Sequence, residues 1–149
     1  MQTNTNMKFR WILITKMQSY SQYKIIAVSK KIFDDPIVCL KNLKKNDAFL
    51  HHDGKRQVVL KIEKNSEDIS SEFEQRHPFL EFSWYRGIDR SPFTQNYLTV
   101  FQTSGRKFDN IKDCLDDLTI YDDHASGDVV DCPTCIYLFI DNKFFENEQ

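Results

Sequence analysis

Short segments in which apolar and polar side chains alternate constrain this chain more than any other feature of its sequence. Phe9, Trp11 and Leu13 stand two positions apart, which places them on one face of an extended strand. Alternation or short apolar runs predict strands at residues 8–15, 23–29, 57–63, 79–85, 97–102 and 135–140, with a short edge at Phe144-Phe145. A chain with this many half-buried strands needs a second layer over the apolar face of its sheet.

Helix patterns lie between these strands. Asp34-Asp35-Pro36 joins an acidic cap to a proline suited to the first turn, so a helix is predicted at 36–45. A second helix is predicted at 108–118, where apolar residues recur with helical spacing: Ile111, Cys114, Leu115 and Leu118. A short acidic helix is predicted at 67–75, ending before Pro78.

These elements predict an α+β fold in a single domain spanning residues 1–149, with residues 1–7 as a disordered lead. We expect a mostly antiparallel sheet of about five to six strands, with about two to three helices packed on one face. No internal repeat and no linker is recognised. The apolar fraction of 40% and aromatic fraction of 13% are enough to fill a core without disulfides.

The composition also bounds the setting of the protein. No stretch approaches the roughly 20 apolar residues of a membrane span, and the run Trp11 to Ile14 is too short for a signal peptide. We therefore expect a soluble, cytoplasmic protein whose cysteines are free thiols. No cofactor is expected, because the sequence has neither a glycine-rich phosphate loop nor a Gly-x-Ser-x-Gly motif.

Charge is divided unevenly along the chain. Residues 1–64 hold thirteen Lys and Arg against five Asp and Glu, a net charge of +8. Residues 65–149 hold seven bases against seventeen acids, a net charge of −10. Eight aspartates fall between Asp109 and Asp131, opposed only by Lys112. Such a density destabilises the folded chain unless solvent, a cation or a partner offsets it.

Two interpretations of the acidic segment stay open. It is either a solvated surface against which the basic half folds back, or a surface that binds a basic partner or a metal ion. Tyr121 would supply an aromatic anchor in the second case. The predicted partner-binding residues are Asp109, Asp113, Asp116, Asp117, Tyr121, Asp122, Asp123 and Asp128.

Cys132-Pro133-Thr134-Cys135 has the spacing of a redox dithiol or of half a zinc site. A strand, not a helix, is predicted after it, which disfavours a thioredoxin-like enzyme. Cys132, Cys135 and His124 are weak zinc candidates, whereas Cys114 lies on the apolar face of its helix and is expected to be packed in the core.

A basic and aromatic cluster suggests nucleic-acid binding, since lysines neutralise phosphates and rings stack on bases. It comprises Lys8, Phe9, Arg10, Trp11, Lys30, Lys31, Lys41, Lys44 and Lys45.

The favoured function is a non-enzymatic, immunity-type protein that neutralises a basic, nuclease-like toxin through an acidic surface at 109–131. One alternative is a small nucleic-acid-binding or regulatory domain that uses the basic half. Another is a small metal-dependent enzyme or zinc-stabilised domain that uses Cys132, Cys135 and His124.

Overall fold

The computed structural model describes residues 8–17, 22–46, 56–62, 80–90, 97–124, 135–141 and 144–145, with the backbone alone for Arg90 and residues 119–124. In chain order its elements are β1 (Phe9–Lys16), β2 (Gln22–Val28), α1 (Pro36–Leu43), β3 (Arg56–Ile62), β4 (Phe82–Arg90), β5 (Tyr97–Thr103), α2 (Ile111–His124) and β6 (Cys135–Ile140).

The strands close into a barrel in the order β1-β2-β5-β4-β6-β3. Every neighbouring pair is antiparallel, including β3 with β1, which completes the ring. The expected α+β sheet with helices packed on one face is therefore wrong. Closure pairs both edges of the sheet, so within the described strands the sheet has an interior and an outer surface instead of two open faces.

Apolar side chains of the barrel form two separate clusters. Ile12 and Ile14 of β1 point into the lumen, where they meet Val59, Leu98 and Phe139. The alternate residues of the same strand point outwards, as do those of β3, β4 and β6. There α1 and α2 cover them, with the outer cluster containing Phe9, Trp11, Leu13, Leu40, Leu43, Leu60, Trp84, Leu115, Leu118 and Leu138.

The barrel is a duplication of one unit, although no repeat was recognised in the sequence. β1-β2-α1-β3 and β4-β5-α2-β6 follow the same order, strand, strand, helix, strand. Trp11 pairs with Leu60 in the first unit, as Trp84 pairs with Leu138 in the second. β2 pairs with β5 and β3 pairs with β6, and these two strand pairs are the seams that join the units. The central residue pair of each seam consists of equivalent residues, as an approximate two-fold axis requires.

Equivalent positions also carry identical residues and identical backbone contacts. Phe9 exchanges two backbone hydrogen bonds with Phe33, and Phe82 does the same with Phe108. The identical pairs are Phe9/Phe82, Trp11/Trp84, Ser29/Ser104, Phe33/Phe108, Asp34/Asp109, Cys39/Cys114, Leu40/Leu115, Leu43/Leu118, Leu60/Leu138 and Ile62/Ile140. The prediction of no repeat is wrong because the identities are spread over turns and strands of unequal spacing.

Each unit has the same bulge in its first hairpin. The register shifts between Leu13 and Ile14 in the first unit and between Arg86 and Gly87 in the second. In the second unit the backbone of β5 comes so close that a Cβ on Gly87 would lie 2.1 Å from the carbonyl oxygen of Thr99. Only glycine fits this approach without a shift of the backbone.

Most predicted strands agree with the structure within a residue or two, but β4 does not. It runs on to Arg90, where the sequence predicted a loop after residue 85, because β4 pairs with both β5 and β6. Phe144 and Phe145 are helical, so the predicted edge strand is wrong. The predicted helix at 67–75 and the lead at 1–7 lie outside the described residues.

Candidate functional site

The start of α2 places the first predicted acidic residues. Asn110 caps the helix, since its Oδ1 accepts a hydrogen bond from the Asp113 amide at 2.8 Å. Its Nδ2 donates to carboxylates of Asp109 and Asp113, both at 3.1 Å. Ile111 and Cys114 are buried beneath the helix, which confirms the predicted apolar face.

The structure divides the predicted acidic surface into a solvent-facing part and a structural part. Asp109, Asp113 and Asp116 are exposed, and we call these three residues the acidic face. Asp116 also pairs with Lys112 one turn earlier. Asp117 has a different role: its side chain is only 17% exposed, and its Oδ2 accepts a hydrogen bond from Trp84 Nε1 at 2.8 Å.

The remaining predicted partner-binding residues lie beyond what the structure describes in detail. Tyr121, Asp122 and Asp123 belong to the last turns of α2, but their side chains are outside the described set. Asp128 lies outside the described residues altogether.

The duplication places oppositely charged parts of the chain at equivalent positions of the structure. α1 and α2 occupy equivalent places on the outer surface, where positions 38 and 41 of α1 correspond to Asp113 and Asp116 of α2. α1 carries Val38 and Lys41 there, both exposed. The position occupied by Lys41 in the first unit and by Asp116 in the second therefore carries opposite charge in the two units.

The described cysteines do not assemble into one site. Cys39 and Cys114 are fully buried in the outer cluster, as expected for Cys114, and burial raises the pKa of each thiol to about 12. Cys135 instead packs against the luminal cluster, on the other side of the barrel wall. Cys132 and the His124 side chain are outside the described set, and no group of three or more metal-binding side chains occurs within it.

The basic and aromatic cluster loses its rings to the core. Phe9 is 0% and Trp11 is 2% exposed, so neither can stack on a base. Arg10 donates to the carbonyl of Ser29 at 2.6 Å. The described members of this cluster that face the solvent are lysines: Lys8, Lys30, Lys31, Lys41 and Lys45.

A cavity that sequence reasoning missed lies at one end of the barrel. Its volume is about 270 Å³, and its lining includes Gln57, Ser83, Tyr85 and Phe139, which alternate with outward-facing residues of β3, β4 and β6. We call this end the open mouth. The described residues of its rim are Glu81, Lys107, Ile140 and Asp141. No sequence motif marks these positions. The signal that the sequence did offer was the presence of polar residues at the lumen-facing positions of otherwise apolar strands.

The open mouth contains an ion pair and a hydrogen-bond acceptor that has no partner within the described part of the chain. Lys107 Nζ donates to Asp141 Oδ2, and this hydrogen bond raises the pKa of Lys107. Tyr85 stacks on Phe139 with ring centroids 3.7 Å apart. The Oε1 of Gln57 is buried without a hydrogen-bond partner among the described residues. Leaving such an acceptor unsatisfied costs about 1–3 kcal/mol.

The opposite end of the lumen is occupied by charged side chains, and we call it the filled mouth. Lys61 Nζ lies 2.7 Å from Asp89 Oδ2, and both side chains are 19% exposed. The buried Tyr137 hydroxyl donates to the same oxygen at 2.6 Å. Burial, followed by the hydrogen bond to Asp89, raises the pKa of Tyr137 strongly, so this phenol keeps its proton.

The acidic face and the open mouth are neighbours along the chain. Lys107 lies on the rim, Phe108 pairs with Phe82 next to Glu81, and Asp109 begins the acidic face.

Neither described helix is long and apolar enough to cross a bilayer. Comparisons with protein-family models, curated proteins and solved structures found no match for the chain.

Proposed function

We propose that this protein is a non-enzymatic binding protein that recognises a basic protein partner through the acidic face of α2. An immunity-type protein that neutralises a nuclease-like toxin would have this arrangement. The carrying observation is the exposure of Asp113 and Asp116 on α2, and of Asp109 just before it, while the opposite face of the helix is buried in the core. Such a helix is held rigidly while its carboxylates meet the solvent.

Charge complementarity mainly raises the rate of association. Clustered negative charge attracts a positively charged partner over roughly a Debye length, about 8 Å at physiological salt. Asp116 pairs with Lys112 one turn earlier, and Asp109 and Asp113 are exposed on the same surface. Asp117 is excluded from this role because Trp84 uses its carboxylate.

The two fully buried thiols are not suited to act as nucleophiles. A nucleophilic cysteine acts as the thiolate. With a pKa of about 12, the Cys39 and Cys114 thiols stay protonated at neutral pH. Both are also fully buried under helices, where they contribute packing.

A triple substitution tests the proposal. Asp109→Asn, Asp113→Asn and Asp116→Asn together remove the acidic face while keeping side-chain size. The matched control is Asp34→Asn, because Asp34 is exposed and occupies in the first unit the position of Asp109. The binding assay uses a panel of basic nucleases, with association measured by surface plasmon resonance at several salt concentrations.

We expect the wild-type chain to bind one such nuclease and suppress its cleavage of nucleic acid. The triple variant should associate at least about tenfold more slowly at low salt, with unchanged thermal unfolding, and the control should match the wild type. Equal association rates for the triple variant and the wild type would refute the acidic face as the binding surface. Binding without inhibition of cleavage would refute the immunity role.

A further inference from the structure

We propose that the open mouth of the barrel is a binding site for an N–H-donating organic cation, namely a guanidinium or alkylammonium group. The site uses Gln57, Glu81, Tyr85 and neighbouring residues, and none of the acidic face. It therefore stands beyond the proposed function, and each of the two can fail without the other.

The two mouths of the duplicated barrel are built from equivalent positions. The residues that differ between them therefore show what distinguishes the open mouth from the filled mouth. At the position of Ser83, the filled mouth has Arg10, and at the position of Phe139 it has Lys61. Of these two long cationic side chains, Lys61 is bound to Asp89 in the filled mouth, and Arg10 donates to the carbonyl oxygen of Ser29. The open mouth replaces them with a small hydroxyl and a ring, and a cavity of about 270 Å³ is left there.

The groups lining this cavity select an N–H-donating cation. Gln57 Oε1 is a buried acceptor without a partner among the described residues, so it requires a donor. Among the described rim residues, Lys107 is the single cation against the carboxylates of Glu81 and Asp141, which leaves one negative charge in excess within this set. The stacked rings of Tyr85 and Phe139 add an aromatic wall, which also favours a cation.

The size of the cavity restricts the ligand to a small group. A volume of about 270 Å³ corresponds to about nine water molecules at roughly 30 Å³ each. A guanidinium or ammonium group on a short alkyl stem fits this space. The same group can come from a free metabolite or from an arginine or lysine side chain of a protein, so the experiment has an arm for each source.

A titration of the full-length, isotope-labelled chain followed by NMR provides the test. Ethylguanidinium and n-butylammonium serve as free cations, propionamide as a neutral donor, and an acetylated, amidated arginine-containing hexapeptide as the protein-derived source. We expect saturable shifts of the Gln57 side-chain amide and the Tyr85 backbone amide with the cations but not with propionamide. Tighter binding of the hexapeptide than of ethylguanidinium assigns the site to a protein side chain, and equal or weaker binding assigns it to a free cation.

Two variants locate the binding. Ser83→Arg places at the open mouth the residue found at the equivalent position of the filled mouth, and it should abolish the shifts because its own guanidinium occupies the cavity. Gln57→Leu removes the acceptor at similar size and should weaken binding by about tenfold. Asp34→Asn, which changes charge at a distant exposed position, should leave the affinity unchanged.

The proposal is overturned if the cations produce no saturable shift in the wild-type chain, or if propionamide binds as well as they do. It is also overturned if the shifts persist unchanged in Gln57→Leu. If Ser83→Arg does not fold, the comparison of Gln57→Leu with the wild type still decides the outcome.

Discussion

Trp84 Nε1 donates a hydrogen bond to Asp117 Oδ2 at 2.8 Å, and the equivalent Trp11 Nε1 donates to Asn42 Oδ1 at 2.9 Å. Both indoles are buried on the outer surface of the barrel, where an N–H needs an acceptor. Each tryptophan therefore ties its helix to the barrel wall at the same place in the two units. The duplication is thus present at the level of single hydrogen bonds.

This relationship predicts how Asp117 responds to substitution. Asp117→Leu leaves the Trp84 N–H buried without its acceptor, so we expect a loss of about 1–3 kcal/mol in the free energy of unfolding. Asp117→Asn keeps an acceptor of the kind that serves Trp11, and should cost less than half of that. Urea unfolding measures both, with Asp116→Asn as the exposed control. Equal stability of Asp117→Leu and Asp116→Asn would contradict the role of this hydrogen bond.

Gly87 is predicted to tolerate no side chain. In Gly87→Ala the new methyl group would lie 2.1 Å from the Thr99 carbonyl oxygen, so β5 must move away from β4. We expect a destabilisation of about 2–3 kcal/mol from this overpacking. Gly105→Ala is the matched control: its φ is +76° with open space around it, so it should cost only about 1 kcal/mol. Thermal unfolding should rank Gly87→Ala below Gly105→Ala, and the reverse order would count against the close approach.

The ion pair of the filled mouth should matter more than the pair on α2. Lys61→Met leaves the carboxylate of Asp89 in a mostly buried place with the Tyr137 hydroxyl as its remaining described partner, and should destabilise the fold by about 1–3 kcal/mol. Lys112→Met breaks an exposed pair between residues one turn apart and should change stability by less than about 0.5 kcal/mol. Chemical denaturation of the two variants makes the comparison. Similar losses would show that the luminal pair is not shielded from water.

Buried thiols predict a loss of stability at high pH. Folding raises the pKa of Cys39 and Cys114 from 9.0 to about 12, so the folded state holds protons that the unfolded state releases between these values. Stability from this source is complete below pH 9 and falls as the pH rises towards 12, by about 1.4 kcal/mol per pH unit for each thiol. Unfolding curves between pH 8 and 11 should show a shallower fall in Cys39→Ala and Cys114→Ala. A fall equally steep in these variants would exclude the thiols as its source.

The duplicated architecture predicts that the two units reassemble from separate chains. They meet along two antiparallel seams, β2 with β5 and β3 with β6, whose strands each unit leaves unpaired when alone. Fragments cut between Ile62 and Leu80 and expressed together should form a one-to-one complex with the circular dichroism spectrum of the intact chain. Each fragment alone should aggregate or self-associate. Stable monomeric fragments would show that the seams do not hold the barrel together.

Local patterns were sufficient to predict most elements. The period-two alternation at Phe9, Trp11 and Leu13 located β1, and the spacing of Ile111, Cys114 and Leu118 located α2, because each period depends only on neighbours along the chain. The acidic residues were located as well, but Asp109 and Asp117 could not be told apart. Whether a carboxylate faces water or an indole N–H depends on which strand lies beneath its helix.

What the sequence by itself determined is therefore the type and approximate position of most of the described strands and helices, together with the division of charge. Closure of the barrel was decided only by the tertiary structure. Alternation shows which side chains share a face of a strand, but it does not show how many partner strands the backbone has. Apolar residues on both faces, as in Trp11 to Ile14, are nevertheless typical of strands covered on both sides. The open mouth likewise exists only in three dimensions, since Gln57, Tyr85 and Phe139 come from three strands, far apart in the chain, that pair side by side in the barrel.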